Sequence, residues 1–179
     1  NHIGATIFGT ASAPEKLARL RSLGVSYPIN YKEVDFAHEI QRITDSAGVD
    51  VVVDSLSGDA IKKGLDLLRP GGRFIEIGAA GVVEVPGVDP TKLFLNNQQF
   101  MAVNVMQLSE NPVLLDRLRN RLSELLREGI LKPTIGHRIP FHEAQKAHQL
   151  IRERKNTGKI ILLVPSDQKE GVPMESKND

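Results

Sequence analysis

The sequence predicts an α/β protein with a doubly wound parallel sheet, and two observations carry that expectation. β-Branched apolar runs alternate with segments whose apolar residues recur at helical spacing, the pattern of consecutive βαβ units. Four β-branched or aromatic stretches, Val51-Val52-Val53, Phe74-Ile75, Val103–Val105 and Ile160–Leu163, are expected to be buried on both faces. A chain of 179 residues, 40% hydrophobic and 25% charged, has the size and core-forming capacity of one ordinary domain.

The first strand is expected over Ala5–Thr10. A helix follows over Pro14–Leu23, because Pro14 suits a first turn after Ser12, Leu17, Leu20 and Leu23 share one face, and Gly24 stops it. Tyr27–Asn30 reads as the second strand, Val34–Thr44 as the second helix and Asp50–Asp54 as the third strand. A short helix over Ala60–Leu68 is ended by Arg69-Pro70-Gly71-Gly72, ahead of a strand over Arg73–Gly78. Phe100–Val105 is the fifth strand, and Pro112–Glu128 is a longer helix made amphipathic by Leu115, Leu118, Leu122, Leu125 and Leu126. From Lys132 the pattern changes to a short strand over Thr134–Ile139, a helix over His142–Arg154 and a last strand over Lys159–Val164. Residues 1–131 are therefore read as one domain and residues 132–165 as a returning segment. Residues 166–179, polar and without period, are read as a flexible tail.

Composition excludes several functions. The 23 basic and 22 acidic residues are spread along the chain and leave a net charge of +1, so neither nucleic acid nor an anionic membrane has an electrostatic claim on it. The absence of cysteine removes disulfides, thiol nucleophiles, iron–sulfur clusters and cysteine-ligated zinc. No apolar run reaches the roughly 20 residues of a spanning helix, and the opening Asn1-His2-Ile3-Gly4-Ala5 has no signal-peptide flanks, so the expectation is a soluble cytoplasmic protein acting on a small molecule. None of His2, His38, His137, His142 and His148 falls in a ligand pair with a suitable third partner, so no metal site is expected. There is no Gly-x-Ser-x-Gly elbow and no obvious general acid or base, which leaves the catalytic residues unassigned.

An open parallel sheet binds its ligand beyond the carboxyl ends of its strands. After the first strand, where a fold that uses NAD places an acidic residue for the ribose hydroxyls, this chain offers Ala11, Ser12 and Lys16. Ser12 can donate a hydrogen bond to a 2′-phosphate and Lys16 can supply charge, which favours NADP; equally, Ser12 can cap the next helix and Lys16 can be a solvated first-turn residue. After the third strand, Ser55 and Leu56 can face an adenosine, while Asp54 either fixes the turn or touches a ligand. Gly78 lets a flat ring lie against the backbone or simply turns the chain. Asn104, expected within the fifth strand, either satisfies buried backbone or meets a nicotinamide. The Leu67–Phe74 stretch occurs also in S-adenosylmethionine-dependent methyltransferases, against which stands Ala11 in place of their ribose-binding acid.

Four stretches, Phe8–Lys16, Gly48–Leu56, Leu68–Gly78 and Thr157–Ile160, lie in order along the chain. Together they resemble the zinc-independent branch of the medium-chain dehydrogenase/reductase superfamily, in its quinone oxidoreductase-like and polyketide enoyl reductase-like members. The resemblance covers Ala5 to Val164. It implies a Rossmann-type sheet and a reductase that passes hydride from NADPH to an activated carbon–carbon double bond or a quinone without a metal. By that resemblance Ser12, Lys16 and Tyr31 surround the adenosine 2′-phosphate, Ser55 and Leu56 the adenosine, Gly78 and Asn104 the nicotinamide half, and Arg154 the phosphate side. It also implies a homodimer paired through the Phe100–Val105 edge strand, whose apolar edge would otherwise invite aggregation.

The chain departs from that family in two ways. The glycine-rich turn that brings pyrophosphate to a helix N-terminus is not in the sequence, and Asn1–Ala5 resembles the last turn of the helix that should follow it. The sheet is thus expected to lack its first, central strand, so either the chain is the cofactor-binding portion of a longer enzyme, inactive by itself, or something else completes the sheet. Secondly, Ala79 and Met106 stand where enoyl reductase domains carry Lys and Asp, which favours the stand-alone quinone reductase type, with protons from solvent or substrate. The alternatives are an enoyl reductase domain of a polyketide or fatty-acid synthase and a non-catalytic dinucleotide-binding protein.

Overall fold

The computed structural model describes residues 3–55, 58–78, 88–153 and 155–165. They belong to two compact units, Asn1–Asn120 and Arg121–Asp179.

The first unit runs β1 (Phe8–Ala11), α1 (Pro14–Ser22), β2 (Tyr27–Asn30), α2 (Phe36–Ile43), β3 (Val49–Asp54), α3 (Asp59–Asp66), β4 (Leu68–Glu76), α4 (Pro90–Leu95), β5 (Gln99–Ala102), α5 (Val105–Leu108) and α6 (Pro112–Arg127), the helix within which the division falls. β1 pairs in parallel with β2, and β4 lies between β3 and β5 in a parallel three-stranded sheet. The two sheets share no ladder among the described residues.

Their cores nevertheless meet. Ile61, Leu65, Leu68 and Phe74 form one buried cluster, Ile29, Ile40 and Leu67 another, and Val49 packs against both. Phe74 and Phe100 stack across β4 and β5 with ring centroids 5.4 Å apart. α3 lies on β3 and β4 through Gly64, where a β-carbon would stand 2.5 Å from Phe74 Cε2. α2 is capped by Asp35, which accepts from the Ala37 and His38 N–H groups and pairs with Lys63 of α3. The Lys63 hydrogen bond, helped by the backbone donors, holds the Asp35 carboxyl below the usual carboxylate range.

In the second unit, β6 (Ile135–Pro140) and β7 (Lys159–Leu163) pair in parallel around α7 (Ala144–Arg152), which a single 3₁₀ turn, Phe141–Glu143, precedes. Ile139 and Ala147 are buried there. No helix among the described residues is long and apolar enough to cross a membrane.

Several expectations need correction. The first strand spans Phe8–Ala11 rather than Ala5–Thr10. β4 starts at Leu68, which pairs with Val49; the Pro-Gly-Gly segment expected to end a helix is instead an irregular excursion, with Gly71 at φ +77° and its N–H on the Asn96 carbonyl. α4 and α5 escape the sequence pattern, being only six and four residues and too short to show a period. The fifth strand ends at Ala102, not Val105, and Asn104 is the N-cap of α5 rather than a strand residue. Burial on both faces also fails for β3, where Val51 and Val53 are 40% and 61% exposed because α3 covers only the face carrying Val52; it fails for Val105, which lies in α5 and is exposed, and Ile160–Leu163 are only half-buried. The helix expected over His142–Arg154 begins in a 3₁₀ turn, and its last residue, like the 166–179 tail, lies outside the described residues.

Candidate functional site at the strand ends

Ala11 and Asn30 are the last register pair of β1 and β2, and the Tyr31 N–H donates to the Ala11 carbonyl at 3.2 Å, carrying the ladder one step further. Ser12 and Tyr31 therefore leave the sheet side by side. The Asn30 carboxamide shapes the turn after β2, accepting from the Lys32 N–H and donating to Glu33 at 2.6 Å. The N-cap of α1 is Ala13, with no side-chain capping bond, so Ser12 is not the cap that the alternative reading required. Pro14 opens the helix and Lys16 falls in its first turn, where the helix dipole favours an anion and disfavours a cation.

The other strand ends form a second group. The Ile77 N–H donates to the Asp54 carbonyl and the Val103 N–H to the Glu76 carbonyl, each at 2.8 Å, so the ladders outlast the strands. Gly78 then meets Ser55 backbone to backbone: a β-carbon on Gly78 would stand 2.6 Å from the Ser55 carbonyl oxygen. In all three loops a side-chain oxygen at or just after the strand end takes an N–H one or two residues on. Asp54 Oδ1 accepts from Ser55, Glu76 Oε1 from Gly78 and Asn104 Oδ1 from Met106, at 2.8, 2.9 and 3.0 Å.

Ser12 and Tyr31 thus stand at one pair of strand ends, with Lys16 in the first turn of α1, and Ser55 and Gly78 stand at another, with Asn104 following β5. Leu56 and Arg154 lie outside the described residues. Sequence reasoning passed over Glu76 as a candidate; its signal was a lone charge in the apolar run Phe74-Ile75-Glu76-Ile77. A cleft of about 230 Å³, lined by Lys62, Leu65, Asp66, Asp89, Lys92 and their neighbours, contains none of these residues.

Parallel strands that end in small, hydroxylated and basic loop residues define a dinucleotide-binding α/β domain of the Rossmann type. The family profile described as zinc-binding dehydrogenase matches residues 23–162. The chain belongs to that family, among medium-chain dehydrogenases/reductases of the quinone oxidoreductase-like and polyketide enoyl reductase-like kinds, and spans their cofactor-binding half. It is 36% identical over 164 residues to a phenolphthiocerol/phthiocerol polyketide synthase polypeptide of Mycobacterium tuberculosis, covering 91% of this chain and 7% of that one. It is 34% identical over 171 residues to the 2-haloacrylate reductase of a Burkholderia species, covering 90% of this chain and 49% of that one. A crystal structure of 2-haloacrylate reductase matches with a TM-score of 0.77 over 90% of this chain and 51% of its own. The Escherichia coli quinone oxidoreductase complexed with NADPH matches at 25% identity and a TM-score of 0.75, over 89% of this chain and 50% of that one. The chain spans about half the length of the stand-alone relatives.

The sequence has no cysteine, and the described residues hold no group of three His, Asp or Glu able to bind a metal.

Proposed function

We propose that this chain is the NADPH-binding half of a cytoplasmic oxidoreductase that passes hydride to a quinone or to an activated carbon–carbon double bond without a metal. The observation that supports the reading most strongly is the corner of Ser12, Lys16 and Tyr31 at two paired strand ends, with Ala11 where a carboxylate would repel a phosphate. Ser12 and Tyr31 donate hydrogen bonds to the adenosine 2′-phosphate, and Lys16 adds charge from a helix turn that favours the same anion. Ser55 and Leu56 line the adenosine and Arg154 the phosphate side. Gly78 admits the nicotinamide half close to the backbone, and Asn104, whose Oδ1 caps α5, has its amide N–H₂ left for the carboxamide.

When bound, NADPH supplies the hydride; the residues of this chain bind and orient it so that donor and acceptor lie in contact. The proton comes from solvent or substrate. β5 ends the three-stranded sheet with Met101 exposed, which supports a homodimer paired through this edge. A second reading, an enoyl reductase module of a synthase, is favoured by the similarity to the mycobacterial synthase.

The test is oxidation of NADPH and NADH by the full-length protein with a quinone and a 2-enoyl thioester as parallel acceptors. Turnover of NADPH with the quinone is the expected result, and turnover with the thioester alone selects the synthase module. NADPH binding without turnover on either would make this a non-catalytic dinucleotide-binding protein, and no binding at all ends the proposal.

A further inference from the structure

Asp54 and Glu76 are register partners at the ends of β3 and β4 and are 9% and 8% exposed. Their place in the strand alternation puts both on the face of Val52 and Phe74, the face covered by α3. An apolar side chain could be buried at position 76 without the desolvation cost of a carboxylate, so packing alone does not call for an acid there. What Glu76 does is local and specific. Its Oε1 accepts the Gly78 N–H at 2.9 Å, while its buried Oε2 has no hydrogen-bond partner among the described residues. That bond turns the Gly78 amide inward, at the point where Gly78 touches the Ser55 backbone and Ile77 donates to Asp54. The segments leaving β3 and β4 are thereby locked into one edge.

We propose that Glu76 is a positioning residue for the dinucleotide: through the Gly78 N–H it presets the Ser55–Gly78 edge against which the cofactor lies. The inference rests on the NADPH reading above. Glu76 touches neither cofactor nor substrate; it acts through Gly78, and a preset edge binds more tightly because less ordering is left for binding to accomplish.

The experiment is NADPH titration and thermal unfolding of the full-length protein and of Glu76→Ala, Glu76→Gln and Leu65→Ala. Loss of one hydrogen bond to a preset loop predicts that Glu76→Ala weakens NADPH binding by about tenfold. Glu76→Gln, which keeps an acceptor for Gly78, should restore affinity to within about threefold of wild type. Leu65→Ala removes buried core away from the edge and serves as the control for general destabilisation. A purely structural role predicts that Glu76→Ala and Leu65→Ala, at equal loss of Tm, affect affinity alike, and that result overturns the inference. If Glu76→Ala does not fold, Glu76→Asp asks the same question, since it keeps the charge but draws the acceptor back from Gly78; unchanged NADPH affinity in folded Glu76→Asp also overturns it. Failure of the wild type to bind NADPH instead overturns the functional reading, and this inference falls with it.

Discussion

Gly64 of α3 packs on Phe74 of β4 so closely that a β-carbon would stand 2.5 Å from Cε2 of the ring and 3.1 Å from Val52 Cγ1. Phe74 is fully buried and stacked on Phe100, so it cannot give way cheaply. Alanine is the better helix former by about 1 kcal/mol, but overpacking of this kind costs about 1–3 kcal/mol. Gly64→Ala is therefore expected to lower stability in urea unfolding of the full-length protein. A stabilised variant would show that the helix–sheet spacing is looser than described.

Lys16→Glu tests the phosphate corner. Replacing the first-turn cation of α1 with an anion should weaken NADPH by at least about tenfold while leaving NADH nearly unchanged, because only NADPH carries the 2′-phosphate. Parallel titrations with the two cofactors provide the check. Equal loss for both, or no loss for either, removes Lys16 from the phosphate site.

Asp35 carries a pH prediction. Its folded pKa is depressed, chiefly by the Lys63 hydrogen bond, so the stability it contributes is present above the unfolded pKa near 4 and is lost as pH falls through the folded value. Asp35→Asn preserves a capping side chain and deletes the charge. The pair is half-exposed, so the cost at pH 7 should be no more than about 1 kcal/mol. It should shrink below about pH 4 and in high salt. A gap between variant and wild type that stays constant from pH 7 to pH 3 contradicts the ion-pair account.

The dimer proposal makes its own prediction. If two copies pair through β5, a charge placed at the exposed Met101 should oppose the pairing. Met101→Lys is then expected to convert the full-length protein from dimer to monomer in sedimentation velocity. A wild type that already sediments as a monomer at micromolar concentration rules the dimer out.

Local chemistry is legible in the sequence to different depths. Tyr27–Asn30 is a strand over the expected residues, and Pro14 opens α1 as anticipated, because strand propensity and the missing proline N–H act within a few residues of themselves. Ser12, Lys16 and Tyr31 are grouped by the family resemblance, whereas the parallel ladder of β1 and β2 sets only the Tyr31 backbone beside Ala11, the residue before Ser12. Asn104 defeats a reading of the sequence because a carboxamide that ends a strand and one that caps the following turn are written in the same letters; only the Met106 N–H within reach of Oδ1 separates them.

The sequence by itself determined the alternation of strands and helices, the absence of cysteine chemistry and the small, hydroxylated and basic residues that follow the strands. Period, turn preference and composition belong to neighbouring residues, so they need no tertiary partner. The tertiary structure alone decided that Val52 faces the core while its identical neighbours Val51 and Val53 face solvent, and that Glu76 stands beside Asp54 and holds Gly78. Those outcomes depend on register and on which face α3 covers, relationships between segments distant in the chain that no local pattern encodes.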